Sequence, residues 1–321
     1  MGYKDITTKK LESYPDVFAD IFNVLVLNDL GIPIKNEEKT LKDEATEGFY
    51  RDYNGKLRNV FQDILKSYTI DNHVSYLACF NIENQTSIDR SMAVRILGYK
   101  FTVYKKQLET YNYRLEALKL LRNNAETEDM KQNYQKEIDK IGNFELVPFI
   151  PIVLNFSDKE WDEPLSLRDL SCDSPYKDLE DDFKIMVFNV KSFSDELIEK
   201  FTSDFKVFLK MINGEDEENL YRYNIKHVTE LIDMIIAFTG SEKLINAREE
   251  ITIKDMKGVV KTMGDVFTIV AERGREEATI KDAKKLHDLD IDENIIIEMI
   301  MEGLDLSESD ARDFFNEKVL G

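Results

Sequence analysis

Cysteine, histidine and tryptophan are scarce in this chain of 321 residues, which has two, three and one of them. Cys79 and Cys172 stand far apart and lack metal-ligand spacing, which excludes a disulfide framework and leaves a reducing compartment as the expectation. Cys79 falls in an apolar run and reads as a buried thiol. His227 and His287 have no cysteine or acidic partner in metal spacing and read as helix-surface residues, while His73 in "IDNHV" reads as an exposed turn residue. Long apolar runs are missing too. No segment approaches membrane-spanning length, and "MGYKDITTKK" is not followed by the apolar stretch of a signal peptide. Gly2 lacks the Ser or Thr at position 6 that myristoylation needs, because Ile6 stands there. The expectation is a cytoplasmic protein with no membrane partner.

Positive charge is in short supply, and unevenly so. The net charge is -20, yet residues 1–150 carry 21 Lys/Arg against 23 Asp/Glu, and residues 151–321 carry 22 against 40. The first half is close to neutral and has room for a local basic cleft. The second would repel a phosphate backbone unless it faced away, and its acidity also serves solubility.

What is present is an alternation of helical and extended patterns. In "DVFADIFNVLVLNDLG" Phe18, Ile21, Phe22 and Leu25 recur at helical spacing, and Gly31 supplies the stop. The polar segment 32–56 reads as irregular or partly helical. Residues 57–67 and 74–83 read as two strands joined at "DNH", and the apolar "SYLACFNI" fits a central strand covered on both faces. A long or broken helix follows from "SMAVRIL" to "LLRNN", with the charged "ETEDMKQNYQKEIDKIGN" as an insertion at its end. Residues 148–156 and 183–190 read as further strands. Trp161, after the first of these, reads as an anchor at the sheet edge. Ser194 is a plausible N-cap for the next helix, and Ser307 for a later one. Beyond residue 213 the pattern is helical throughout. Strands alternating with helices predict a mixed α/β sheet.

Asp63 and Glu83 fall on the two neighbouring strand candidates, where they can converge at one sheet end. Two carboxylates held close need a cation or a shared proton, since their repulsion otherwise raises one pKa. Magnesium suits such a place because it takes hard oxygen ligands and keeps waters that a substrate can displace. Gln85 is two residues from Glu83 and so shares its face, able to hydrogen-bond an attacking water or a phosphate oxygen. The Asn84 backbone carbonyl lies between them as a further ligand. The same spacing also fits a solvated pair of strand-end acids, and the residues by themselves leave both readings open.

The stretches "DVFADIFNVLVLN", "QDIL", "FNIENQTSIDRSMAVRILGYKFTVYKKQL", "PFIPIVLNFSDKEWDEPLSLRDL" and "DDFKIMVFNVKSF" resemble, in order over residues 10–210, the recombination-promoting nuclease and transposase-like family (YhgA-like) of the PD-(D/E)xK nuclease superfamily. The resemblance implies a restriction-endonuclease-like mixed sheet flanked by helices over residues 1–210, with an acidic helical C-terminal extension over 211–321. It also implies magnesium-dependent cleavage of DNA, with manganese as a substitute and a role in recombination. Asp63 and Glu83 match the metal carboxylates. Gln85 takes the place of the motif's basic member, a replacement the family commonly shows. Asn23 resembles the first-helix polar residue near the pocket, and Arg95 the arginine that contacts phosphate from the following helix. The chain departs from the family pattern at Gln62, where the family has arginine, and at Ala93 in "SMAVR", where it has proline. Gln62, the uncharged Gln85 and the acidic C-terminal half also fit a second reading, an inactive nuclease-like scaffold that binds protein. On either reading the C-terminal region, with the apolar face of "IIIEMIMEGL", is the candidate for self-association or for a protein partner.

Overall fold

The computed structural model describes residues 2–34, 41–44, 47–51, 57–61, 63–69 and 76–321. Gln62 and His73 lie outside them. The chain divides into two compact units, residues 1–202 and 203–321.

The first unit opens with helix α1 (Tyr3–Glu12), which the sequence pattern does not announce. Its buried positions include Thr7, Thr8 and Glu12 beside Leu11, and Thr8 returns its hydroxyl to the Lys4 carbonyl at 2.6 Å. Helix α2 (Pro15–Phe22) is the expected one. Pro15 fits its first turn because the fixed φ is helical and the missing N–H has no partner to lose there. Val17, Phe18, Ile21 and Phe22 are fully buried, and the Phe22 ring lies 4.8 Å from that of Phe80. The helix then widens over Asn23–Leu27, where the Asn28 N–H reaches back five residues to the Asn23 carbonyl at 2.9 Å.

Strands β1 (Leu41–Asp43), β2 (Glu47–Arg51), β3 (Leu57–Phe61), β4 (Ile64–Thr69) and β5 (Tyr76–Gln85) follow. Two expectations change here. Among its described residues the polar segment 32–56, expected to be irregular or partly helical, contains β1 and β2. The single strand expected over 57–67 is two: β3 pairs with β2 in a separate antiparallel hairpin, while β4 enters the main sheet. Apolar alternation identifies both pieces as extended but cannot say which neighbour each one pairs with.

Helix α3 (Met92–Asn123) is continuous and α4 (Glu128–Ile141) packs beside it, with Thr127 capping the Met130 N–H. Strand β6 (Phe149–Asn155), the short helix α5 (Leu167–Leu170), strand β7 (Met186–Asn189) and the helical turn α6 (Asp195–Ile198) complete the unit, with Ser194 capping Leu197. The five-stranded sheet has the order β1-β4-β5-β6-β7, antiparallel through β4–β5 and parallel from β5 to β7. The expected mixed α/β sheet is therefore present. Met92, Ala93, Ile96, Tyr99 and Val103 of α3 pack on Leu65, Cys79, Val153 and Ile185 on one sheet face. Phe80, next to Cys79, points to the opposite face and meets α2 there. Trp161 packs against the α3 cluster, and its main-chain N–H donates to Asn189 Oδ1 at 2.9 Å.

The second unit contains α7 (Asp204–Ile212), the short α8 (Glu217–Leu220), α9 (Val228–Thr239), α10 (Glu242–Met256), α11 (Met263–Asp288), α12 (Glu293–Leu304) and α13 (Glu308–Phe314). It is helical, as expected, and carries 27 Asp/Glu against 16 Lys/Arg. Thr262 and Asp265 form a reciprocal capping box at the start of α11, and Ser307 caps α13. His227 is buried beside the start of α9 rather than exposed, and His287 meets the Phe315 ring edge-on. Among the described residues no helix is long and apolar enough to cross a membrane.

Candidate active site

Asp63 sits in the bend just before β4, not within a strand, and Glu83 near the end of β5. The β4–β5 register pairs Ile64 with Ile82, which sets Asp63 beside the end of β5. Asp63 Oδ2 accepts the Asn84 backbone N–H at 2.7 Å, and its Oδ1 lies 2.7 Å from Lys9 Nζ on α1. Burial is the main force raising the Asp63 pKa, against which Lys9 and the Asn84 N–H favour the charged form.

Glu83 is 1% exposed. Its Oε1 gathers three donors: Arg95 Nη2 at 2.5 Å, the Tyr99 hydroxyl at 3.3 Å and Gln85 Nε2 at 3.3 Å. Its Oε2 is buried with no hydrogen-bond partner among the described residues. Burial, and after it the charge of Asp63, push the Glu83 carboxyl up to about 8, with Arg95 pulling the other way. Arg95 is shared with Asp89, at 2.8 Å, and donates to the Tyr99 hydroxyl at 3.1 Å. Burial would weaken the guanidinium as a base, but the Asp89 bond and the Glu83 charge outweigh it and hold it firmly protonated. Asp89 in turn stays below the usual carboxylate range, because bonds from Arg95 and Ser91 overcome its desolvation.

On the other face of β5, Asn84 Nδ2 donates to Glu12 Oε2 at 2.6 Å. Glu12 is fully buried, and desolvation holds its carboxyl well above the ordinary range, with Asp63 adding to the rise. Glu12 Oε1 and Asn84 Oδ1 are also buried acceptors with no partner among the described residues. Asp63 thus stands electrostatically between two buried glutamates, one from each side of the strand.

The expected pair Asp63 and Glu83 is brought together with Asn84 and Gln85. The Asn84 carbonyl already accepts Gln85 Nε2 at 2.8 Å, so it is engaged rather than open. Arg95 joins the group, bonded to Glu83 and Asp89 with its side chain 38% exposed. Asn23 stands at the end of α2. Its amide bonds both the carbonyl and the N–H of Ile34, at 2.9 and 2.7 Å, and closes the loop after α2. Glu12, Tyr99 and Asp89 escaped the sequence reading. Tyr99 had a signal, lying one helical turn below Arg95. Glu12 had none, since nothing local marks a glutamate as facing a strand 72 residues away.

Among the described residues no group of three or more His, Cys, Asp or Glu side chains is arranged to hold a metal ion. Among the described residues Glu83 Oε2 on one face of β5, and Glu12 Oε1 and Asn84 Oδ1 on the other, are buried hard oxygens with no partner, the ligand type that small divalent cations take. No family model matches the chain, and no curated protein or solved structure is significantly similar to it.

Proposed function

We propose that the chain is a magnesium-dependent DNA endonuclease of the PD-(D/E)xK type, related to the recombination-promoting nucleases, with Asp63 and Glu83 as the metal-holding carboxylates. The observation that carries the reading is Glu83: a buried carboxyl with one unpartnered oxygen, raised to about 8 by desolvation and by the nearby Asp63. A divalent cation held by the two carboxylates would offset both causes. Magnesium, or manganese in its place, would when bound neutralise charge at the scissile phosphate and lower the pKa of water.

The chain's own residues do the remaining work. Asn84 fixes Asp63 through its backbone N–H and is better cast as its positioner than as a ligand, because its carbonyl is engaged by Gln85. Gln85, with an amide that donates and accepts, orients water or a phosphate oxygen. Arg95 offsets the negative charge of Glu83 and Asp89. Glu12 closes the back of the site through Asn84. A cytoplasmic location follows from this reading.

A second reading, an inactive scaffold, draws on one observation: Arg95 already neutralises Glu83 without a cation. Plasmid and single-stranded DNA incubated with the full-length protein and magnesium, manganese or EDTA decide between them. Cleavage that needs the metal and vanishes in Asp63→Ala and Glu83→Ala supports the nuclease. Cleavage unchanged in both variants, or none under any metal together with no metal binding in calorimetry, sinks it.

A further inference from the structure

Helix α3 carries apolar residues seven apart at Val94, Phe101, Leu108 and Leu115, and again three residues on at Leu97, Tyr104, Tyr111 and Leu118. This is the a/d pattern of a coiled-coil seam, sustained over four heptads. The face adjoins the one that packs on the sheet, which runs through Met92, Ile96, Tyr99 and Val103, and Tyr104 at their border packs against that cluster.

The distal half of the seam has its partner within the chain. Helix α4 lies beside it. The Tyr111 hydroxyl donates to the Gly142 carbonyl at 3.0 Å, its ring lies 5.2 Å from Phe144, and Arg122 at the next a position reaches Gln135 at 2.6 Å. Among the described residues the proximal half has no such helix beside it. Val94, Leu97, Phe101 and Leu108 are 53%, 36%, 59% and 43% exposed. The chain leaves the line of α4 at Gly142, whose φ of +60° turns the backbone out of the helix. About 20 Å of seam, four turns of helix, is left open.

The flanks of the open half decide what fits it. The positions bordering the seam are Gly98, Lys100, Lys105 and Gln107, none of them an acid, and Lys105 has one exposed ion pair within the helix, 3.7 Å to Glu109, which contributes little in water. Over its whole length α3 carries seven Lys/Arg against two Glu, in a chain of net charge -20. Lys100 lies over the Tyr104 and Phe183 rings, 5.5 and 5.1 Å from their centroids, so its charge stays beside the seam. A second copy docked through the same face would set lysine against lysine. A DNA backbone would meet the lysines but bury none of the apolar stripe.

We propose that the open half of the α3 seam is a docking site for an acidic amphipathic helix of another protein. That helix would continue the line of α4 for about two heptads, with apolar residues at a and d and Glu or Asp at e and g. The proposal is independent of the nuclease reading.

The probe is a synthetic labelled peptide of about two heptads with Leu at a and d and Glu at e and g, titrated against the full-length protein by fluorescence anisotropy. A twin with Lys at e and g is the control. The Glu peptide binds and the Lys peptide does not. Phe101→Glu, on an exposed side chain and with an unchanged far-UV spectrum, weakens binding at least about tenfold. Lys100→Glu with Lys105→Glu reverses the preference in favour of the Lys peptide. Equal binding of the two peptides, binding of neither, or an Lys100/Lys105 double variant with unaltered preference overturns the proposal. So does sedimentation as a dimer that Phe101→Glu dissociates, or DNA binding that the same substitution abolishes.

Discussion

Asp63 Oδ2 accepts the backbone N–H of Asn84 at 2.7 Å, which ties the carboxylate ahead of β4 to the strand that carries Glu83. An N–H at the end of a strand has lost its ladder partner, and here a side chain replaces it. The bond favours the charged form of Asp63 while burial opposes it, and the resulting charge then bears on Glu83 and on Glu12. Proton occupancy at this end of the sheet is therefore linked to folding.

Glu83 should make the protein less stable as pH rises. Its folded pKa is raised to about 8 from an ordinary value of 4.5, so the folded state keeps a proton that the unfolded state gives up. The contribution is whole below about pH 4.5, declines through the interval to about 8, and levels off above it. Glu83→Gln, which stays neutral, should gain on the wild type by a few kcal/mol between pH 5 and 8. Urea midpoints of both proteins at the two pH values measure this, and parallel behaviour would refute it.

Arg95→Gln should show a loss with the same pH sense. At pH 8 and above the variant leaves a buried carboxylate without its cation, a defect of about 3 kcal/mol. Near pH 5 Glu83 is protonated and needs no cation, so the loss should shrink to what the Asp89 and Tyr99 bonds contribute, about 1–2 kcal/mol. Chemical denaturation with EDTA present gives both numbers. An equal loss at the two pH values would count against the Glu83–Arg95 pairing.

Glu12 separates shape from charge. Glu12→Gln retains an acceptor for Asn84 Nδ2 and stays neutral, so, like Glu83→Gln, it should gain on the wild type as pH rises above the ordinary carboxylate range. Glu12→Ala opens a cavity and leaves a buried donor unpaired, and should lose about 2–4 kcal/mol. Two variants with the same midpoint would mean that the buried contact with Asn84 does not form.

Thr262→Ala tests the second unit alone. The threonine hydroxyl accepts the Asp265 N–H while the Asp265 carboxylate accepts the Thr262 N–H, at 3.2 and 2.8 Å. Removing the hydroxyl should destabilise by about 1 kcal/mol. Amide exchange in the first turn of α11 should quicken, and unchanged protection there would contradict the cap.

The sequence by itself determined the elements whose signals are local. Phe18, Ile21 and Phe22 mark α2 because a helical stripe reports its own burial, and Ser194 and Ser307 mark helix starts because a cap acts within three residues. The shared face of Glu83 and Gln85 is likewise a matter of strand period. Tertiary structure alone decided which partners these elements meet. Residues 57–61 and 64–69 carry the same extended pattern, yet one joins a hairpin with 47–51 and the other the main sheet. Helix α1 is too polar to declare itself, since Thr7, Thr8 and Glu12 are buried by neighbours distant in sequence. Asn23 and Arg95 show the same limit, for a polar residue on a helix can close a loop or neutralise a buried acid. Local periodicity fixes which way a side chain points, but its partner depends on strand register and helix docking, contacts that span tens of residues and leave no trace in any short stretch of the chain.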